Sequence, residues 1–196
     1  MRPRAFDEEQ ALDAAMRVFW AKGYEAASLS ELTEKMNIRK PSLYATFGDK
    51  RGLFGRSLDR YTTRHLEYIQ RMLERESAVI PAFKSLLNDL AEGGRAGDPT
   101  LGCLAVLTLD ELAPREAEWT EKAWAHQLRL AELFRNKIAE GLESGELAPG
   151  QDAEALGRAL LASVIGLTVM LKTLPDRAFT ESTISATLTL LKEAQS

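Results

Sequence analysis

A short basic and polar segment, Arg39-Lys40-Pro41-Ser42, carries the side chains with the clearest chemistry in this chain of 196 residues. Arginine and lysine donate to the acceptors of guanine, serine pairs with several base edges, and a proline ring can contact a thymine methyl. Tyr44, Thr46 and Lys50 follow at positions from which they would reach the phosphate backbone. These residue types in this order predict a surface that binds double-stranded DNA.

Such a surface requires a short helix that presents its first turn to the bases, and the sequence predicts one. Ser28-Leu29-Ser30-Glu31 is a capping box that opens a preceding short helix, and Asn37 suits the left-handed turn after it. The next helix is predicted at residues 40–47, with a proline tolerated in its first turn. Leu43 and Phe47, four residues apart, would anchor its opposite face. Two short helices joined in this way form a helix-turn-helix motif.

In the rest of the chain, residues that start and stop helices also predict a series of helices. Asp7 is predicted to cap a first helix that ends at Gly23, and Asp49 to cap a long helix after the motif. Further helices are predicted at residues 81–93, 101–112, 116–143, 152–174 and 180–194. No stretch alternates as a half-buried strand would. The expected fold is all-α with about nine helices, divided into a three-helix domain at residues 1–55 and a larger helical domain at residues 56–196.

Charge is unevenly distributed along the chain. Basic residues outnumber acidic ones in the first 60 residues, whereas the whole chain carries a net charge of -4. A basic end on an acidic body indicates a polyanionic partner at that end. The single cysteine excludes an internal disulfide, no signal peptide is evident, and the longest apolar stretch, residues 159–171, is shorter than the ~20 residues of a membrane span. We therefore expect a cytoplasmic protein with no membrane partner.

Two N-terminal segments have a recognisable pattern: AAMRVFWAKGYEAAS at residues 14–28 and IRKPSLYATFGDK at residues 38–50. Through them the chain resembles the tetracycline-repressor (TetR) family of bacterial transcriptional regulators. The sequence departs from the family pattern at Asn37, where glycine is usual, and at Pro41, where glycine or alanine is frequent. The resemblance covers about a quarter of the chain, and the divergent helical body after it is also typical of the family.

The resemblance implies a set of DNA contacts and a mechanism. It implies that Tyr24 and Ser28 contact backbone phosphates, that residues 39–42 read the major groove, and that Tyr44 and Lys50 hold the DNA strand. It also implies a homodimer whose last two helices form a four-helix bundle. Binding of a small molecule in the larger helical domain would then change the separation of the two DNA-binding domains and release the protein from its operator.

Two apolar stripes on the last two helices predict the dimer interface, because apolar stripes of this size would promote aggregation if they were exposed to solvent. Gly157, Ala162 and Gly166 would permit close approach of helices. The alternative is that both stripes pack on the core of their own protomer. The predicted interface residues are Leu156, Leu160, Val164, Leu167, Leu171, Ile184, Leu188 and Leu191.

The predicted effector contacts are mostly large apolar side chains on the middle helices, and they favour a hydrophobic or aromatic small molecule. Each of them could equally be plain core, as such side chains usually are. The set is Phe83, Cys103, Leu107, Trp119, Trp124, His126, Phe134 and Met170.

The cysteine, the histidines and the possible nucleophiles of the chain give little indication of redox sensing, metal binding or catalysis. Cys103 has apolar neighbours and no nearby basic residue in sequence, so an inert buried thiol is preferred over an oxidant or electrophile sensor. His65 and His126 lie on different predicted helices, with no cluster at metal-ligand spacing, so no metal and no cofactor are expected. No nucleophile motif or phosphate loop is present, and an enzyme is not expected.

The sequence therefore predicts a homodimeric DNA-binding transcriptional regulator, a repressor that a small and hydrophobic effector releases from a palindromic operator. One short DNA-contacting helix buries too little surface for specific binding, so two protomers are expected to bind together. Their two operator half-sites would lie ~34 Å apart. One alternative is a DNA-binding regulator with no small-molecule effector. Another is a protein-interaction module that has lost DNA binding, against which the Arg39-Lys40 pair argues.

Overall fold

The computed structural model describes residues 6–194, and within them it contains nine α-helices and no β-strand. This confirms the predicted all-α fold. Two short 3₁₀ turns, Gly94–Ala96 and Pro99–Leu101, connect the fifth and sixth helices. The helices are α1 Glu8–Ala26, α2 Leu29–Lys35, α3 Lys40–Phe47, α4 Lys50–Glu74, α5 Val79–Ala91, α6 Leu104–Leu112, α7 Ala117–Ser144, α8 Ala153–Leu171 and α9 Arg177–Leu188.

Local capping signals place the ends of the N-terminal helices. The Asp7 carboxylate accepts from the backbone N–H groups of the first turn of α1, and Ser28 Oγ accepts from Glu31 N at 3.2 Å. Asp49 Oδ1 accepts from Gly52 N at 2.8 Å at the start of α4. Asn37 has a positive φ of 53°, so it makes the predicted left-handed turn between α2 and α3. These predictions are confirmed, and the turn sets the relative direction of the two short helices.

Several predicted helix ends differ from the structure. The first helix does not end at Gly23, although the backbone leaves helical geometry there, and it resumes as far as Ala26. The sixth helix begins at Leu104 rather than at residue 101, because a 3₁₀ turn occupies the preceding residues. The last helix ends at Leu188 rather than at residue 194. Beyond it the chain pairs with the loop after α7, where Ala148 N donates to the carbonyl of Lys192 at 2.8 Å.

The residues form two compact units. The first contains the chain up to Arg64 together with Leu104–Trp124, and the second contains His65–Cys103 and the chain from Ala125 onward. This division differs from the predicted single boundary after residue 55, because α6 packs against α1 within the first unit. The core of the second unit is aliphatic and aromatic, with Phe83 and Phe134 packed edge to face at 5.2 Å.

Candidate DNA-binding surface and side-chain clusters

Helix α3 presents its polar face to solvent and its apolar face to the first unit. Leu43 is fully buried and Phe47 is 5% exposed, which confirms their predicted anchoring role. The predicted reading residues lie on the other side, where Arg39, Lys40, Pro41 and Tyr44 are exposed and Ser42 is partly buried. The start of α3 is therefore free to enter a groove of DNA.

The basic side chains of the first unit differ in whether a carboxylate neutralises them. Arg56, Arg60 and Arg64 of α4 pair with carboxylates on α1, at Glu8, Glu9 and Asp13. By contrast, neither Arg39 nor Lys40 forms an ion pair with any residue that the structure describes. Two positive charges without a carboxylate partner therefore lie at the start of α3, where a polyanion would bind.

Tyr24 and Lys50, both predicted to contact phosphates, lie together beside an aromatic cluster. Lys50 Nζ lies 4.6 Å from the centre of the Tyr24 ring and donates to the carbonyl of Glu25 at 3.2 Å. The tyrosine ring also packs against Phe54 and Trp119. Burial, with the nearby Glu25 charge, raises the pKa of Tyr24 above its ordinary value of 10.0, so its hydroxyl stays protonated and can donate at neutral pH.

Glu111 of α6 fixes the chain that leads into this cluster, a role for which the sequence carries no signal. Its two carboxylate oxygens accept from the backbone N–H groups of Tyr24 and Glu25, each at 2.8 Å. These donors follow Gly23, whose φ of 80° and ψ of 179° belong to a region open essentially to glycine alone. The carboxylate thus supplies the acceptors that the interrupted helix lacks at this point.

The structure places the predicted effector contacts in different surroundings. In the first unit, Trp119 is buried in the aromatic cluster, Leu107 is partly buried and Trp124 is 57% exposed. In the second unit, Phe83 and Phe134 belong to the close-packed core, whereas Met170 is exposed on α8. The last two, Cys103 and His126, lie apart from these residues, in a separate cluster with His65.

The predicted dimer stripes face the core of their own unit. Leu160, Leu167, Leu171, Ile184 and Leu191 are each at most 5% exposed. The other three predicted residues, Leu156, Val164 and Leu188, are partly buried against the same core. This burial favours the alternative that the stripes pack on the core of their own protomer, because periodicity marks an apolar face without saying what covers it, and their place in an interface stays a prediction. Gly157 is likewise an internal contact, since a Cβ there would lie 2.9 Å from Arg135 N on α7.

A different face of α8 is exposed and apolar. It carries Ala162, Gly166, Val169 and Met170, and Phe179 of α9 is also 38% exposed. By length and composition alone, α8 is long and apolar enough to span a membrane. The helix is longer than the apolar stretch identified in the sequence, because the polar residues at its start do not interrupt it.

The two histidines and the single cysteine of the chain lie together in the second unit, contrary to the expectation that they form no cluster. His65 Nδ1 of α4 and His126 Nε2 of α7 are 2.9 Å apart, within hydrogen-bonding distance. Cys103 completes the group, with one potential ligand atom of each residue within 4.8 Å of the others. The fold thus brings both imidazoles close to Cys103, although no basic residue lies near it in sequence.

His126 is buried, and its charge state bears on stability. Burial, with the nearby Arg129 charge, lowers the pKa of His126 to about 4 from an unfolded value of 6.5. The unfolded chain binds a proton at this imidazole more readily than the folded protein does. The neutral, buried His126 therefore contributes its full share to the free energy of unfolding above pH ~6.5, and this share falls as the pH decreases towards ~4.

We expect the free energy of unfolding to fall by about 2 kcal/mol between about pH 7.5 and pH 5 through this one group. Urea denaturation with a chelator present measures it, and His126→Gln is the control because it removes the titrating imidazole. A pH dependence equal in the two proteins would contradict the assignment.

Gln127, next to His126, is a buried residue that the sequence did not single out. It is 1% exposed, and among the residues that the structure describes neither its amide nitrogen nor its amide oxygen has a hydrogen-bond partner. Leaving such groups unpaired costs about 1–3 kcal/mol each. A buried, unpaired amide that both donates and accepts is suited to binding a polar group of a ligand.

Family models match most of the chain. Residues 11–56 match the bacterial regulatory proteins of the tetR family, and residues 80–187 match the tetracyclin repressor-like C-terminal domain. Among curated proteins, the Escherichia coli HTH-type transcriptional repressor ComR is 29% identical over 169 residues, which is 86% of this chain and 80% of ComR.

Solved structures give the same result. A cysteine-substituted mutant of the TetR-family regulator CifR, in complex with 26-base-pair operator DNA, is 34% identical, with a TM-score of 0.83 and coverage of 96% of this chain and 98% of that one. A TetR-family regulator from Cytophaga hutchinsonii, 19% identical with a TM-score of 0.85 over 96% of this chain and 95% of that one, shares the fold. The chain belongs to the TetR family of DNA-binding bacterial transcriptional regulators.

Proposed function

We propose that the protein is a homodimeric repressor that binds a palindromic operator through two copies of α3 and is released by a small-molecule effector. The observation that carries the DNA-binding part is the exposed, uncompensated Arg39-Lys40 pair at the start of a helix anchored by Leu43 and Phe47. The operator complex of CifR supports it, because that protein is similar over nearly the whole chain. The protein would act in the cytoplasm, where the operator is.

Arg39 and its neighbours have distinct roles in this proposal. Arg39, Lys40, Pro41 and Ser42 read base edges. The remaining predicted contacts hold the phosphate backbone, and these are Tyr24, Ser28, Tyr44, Thr46 and Lys50. Other interactions hold three of the residues proposed to contact phosphates, since Lys50 lies over the Tyr24 ring and Ser28 caps α2.

Replacing Arg39 by alanine should weaken operator binding by about 1–3 kcal/mol and relax base preference at one symmetric pair of positions, because a base-edge contact is lost. Fluorescence anisotropy on operator variants at one fixed salt concentration measures both effects. Lys50→Ala is the comparison, and it should weaken binding to all sequences alike and lower the salt slope by about 1. An unchanged base preference in Arg39→Ala would show that Arg39 does not contact the bases and that its neighbours do.

The exposed face of α8 supports the dimer. A soluble monomer would expose this long apolar surface, whereas a second copy would cover it. Alanine and glycine at positions 162 and 166 allow two α8 helices to approach closely, and Val169, Met170 and Phe179 supply apolar area around them. We assign the interface to this face in place of the leucine stripes. Such a dimer would also account for a two-part operator.

The effector is proposed to be small and largely hydrophobic, with at least one polar group. Gln127 supports the polar group, because a ligand that both accepts from and donates to the amide would satisfy a side chain left unpaired by the described residues. A regulator without any effector is the alternative, and it predicts operator affinity that no metabolite changes.

Replacing Gln127 by leucine should leave the fold intact or stabilise it, since removing an unpaired buried amide relieves a cost. Operator affinity without effector should stay at the wild-type value, and release by an active compound from a metabolite panel should require at least a tenfold higher concentration. Anisotropy titrations measure both. Equal release from the two proteins would exclude Gln127, and no release by any fraction of cell extract would favour the alternative without an effector.

A further inference from the structure

We propose that His65, Cys103 and His126 form a binding site for a divalent transition-metal ion of the zinc type. All three residues belong to the second unit, and they come from three separate segments: α4, the loop before α6, and α7. One potential ligand atom from each lies within 4.8 Å of the other two. A metal site here goes beyond the proposed function.

The scarcity of these residue types strengthens the inference. The chain of 196 residues has two histidines and one cysteine, and the fold brings all three to one place. The sequence positions are 38 and 23 residues apart, so helix periodicity does not place them together. A buried pair of imidazoles could also serve only as a hydrogen-bonded structural contact, but such a contact does not require a thiol beside it.

The distances suit a tetrahedral ion after small movements. Metal bonds of ~2.0–2.3 Å to imidazole and thiolate place ligand atoms about 3.3–3.6 Å apart. His65 Nδ1 and His126 Nε2, now 2.9 Å apart, would separate by about 0.4 Å, and the thiol would move closer.

The surroundings hold the ligands in place while leaving one side open. The Tyr68 ring stacks on His65, with 6.3 Å between ring centres. Gly102, directly before Cys103, lies against Thr168 and Lys172 at the end of α8, where a Cβ would be 3.5 Å from the lysine side chain. His65 is only partly buried, which gives an ion a path to the cluster from solvent.

The donor set selects the class of ion. Two imidazoles and one thiolate are soft or borderline donors that suit zinc-type ions, whereas magnesium and calcium prefer oxygen. Three protein ligands leave the fourth tetrahedral position for water or an external ligand. A thiolate also offsets the positive charge of the ion and of nearby Arg129.

Cobalt(II) titration of the tag-free, full-length protein tests the site directly. We expect one equivalent of Co²⁺ to produce visible bands typical of tetrahedral cobalt and a near-ultraviolet thiolate band, both abolished by one equivalent of Zn²⁺. Zn²⁺ should also slow alkylation of Cys103, which is a clean readout because the chain has no other thiol. Absence of these bands, or octahedral spectra without the thiolate band, would overturn the proposal.

Two variants test the ligands, and a third serves as their control. Cys103→Ser and His65→Asn change partly buried residues, and each should lower Co²⁺ affinity at least 100-fold, since even residues that only support a ligand change affinity 10–100-fold. Gln70→Ala is the matched control, because it changes an exposed residue of the same helix as His65 and removes no ligand, and its affinity should equal that of the wild type. Circular dichroism establishes that each variant is folded. Unchanged affinity in folded Cys103→Ser and His65→Asn would show that these residues form only a structural cluster.

Discussion

Replacing Ala162 by arginine is expected to leave the protein monomeric and to lower operator affinity at least 100-fold. Ala162 lies on the exposed apolar face of α8, where we place the second copy. A guanidinium there would be buried against apolar side chains without a carboxylate partner, which an interface does not tolerate. The loss of affinity follows because a dimer binds its second half-site at a high effective concentration, and a single head loses that gain of roughly 10²–10⁴.

Sedimentation equilibrium and fluorescence anisotropy on the same samples measure the two effects. Gln70→Arg is the matched control, because it adds one positive charge at an exposed position of a helix in the same unit. The control should remain dimeric and bind the operator with wild-type affinity. An Ala162→Arg protein that stays dimeric would show that another surface forms the interface.

Replacing Gly23 by alanine should lower the free energy of unfolding by about 3 kcal/mol. The backbone at Gly23 adopts φ 80° and ψ 179°, where a Cβ costs about 1–3 kcal/mol. The new Cβ would also lie 2.5 Å from Glu111 Oε2, so the carboxylate would have to leave the N–H groups of Tyr24 and Glu25. Hydrogen bonds to a charged group contribute about 1.5–3 kcal/mol, and part of that is lost as well.

Urea denaturation of single and double variants separates the two causes. In a Glu111→Ala background, Gly23→Ala should cost only the backbone strain, so the two changes should not be additive. Gly48→Ala is the control for strain alone, since Gly48 has a φ of 81° and a Cβ added there would have no atom within 4 Å. Additive effects of Gly23→Ala and Glu111→Ala would contradict the role of the carboxylate.

Local signals predicted the N-terminal motif well. Capping residues, the Asn37 turn and the spacing of Leu43 and Phe47 act within a few residues, so the sequence determines the direction of α3 and the face that it exposes. The end of α9 could not be predicted in this way, because pairing of Lys192 with the loop after α7 removes residues that would otherwise extend the helix.

The interface and the ligand clusters depend on long-range packing. Helix α8 is apolar on several faces, so its leucine stripe gave no indication that the core of the same unit covers Leu160 and Leu167 while Ala162 and Gly166 remain exposed. The His65, Cys103 and His126 cluster requires three distant segments to meet. The role of Glu111 is likewise invisible in sequence, because its two donors lie 86 and 87 residues away.

Binding-site selection from random duplex DNA, with purified protein at one fixed salt concentration, tests the central claim most directly. Two copies of α3 predict an enriched palindrome whose half-sites are centred about one helical turn, or a multiple of it, apart. For folded Arg39→Ala, the enriched sequence should show no base preference at one symmetric pair of positions. For Ala162→Arg, the enriched sequence should contain only one half-site. No enrichment by folded, dimeric protein, with or without cell extract, would contradict the account.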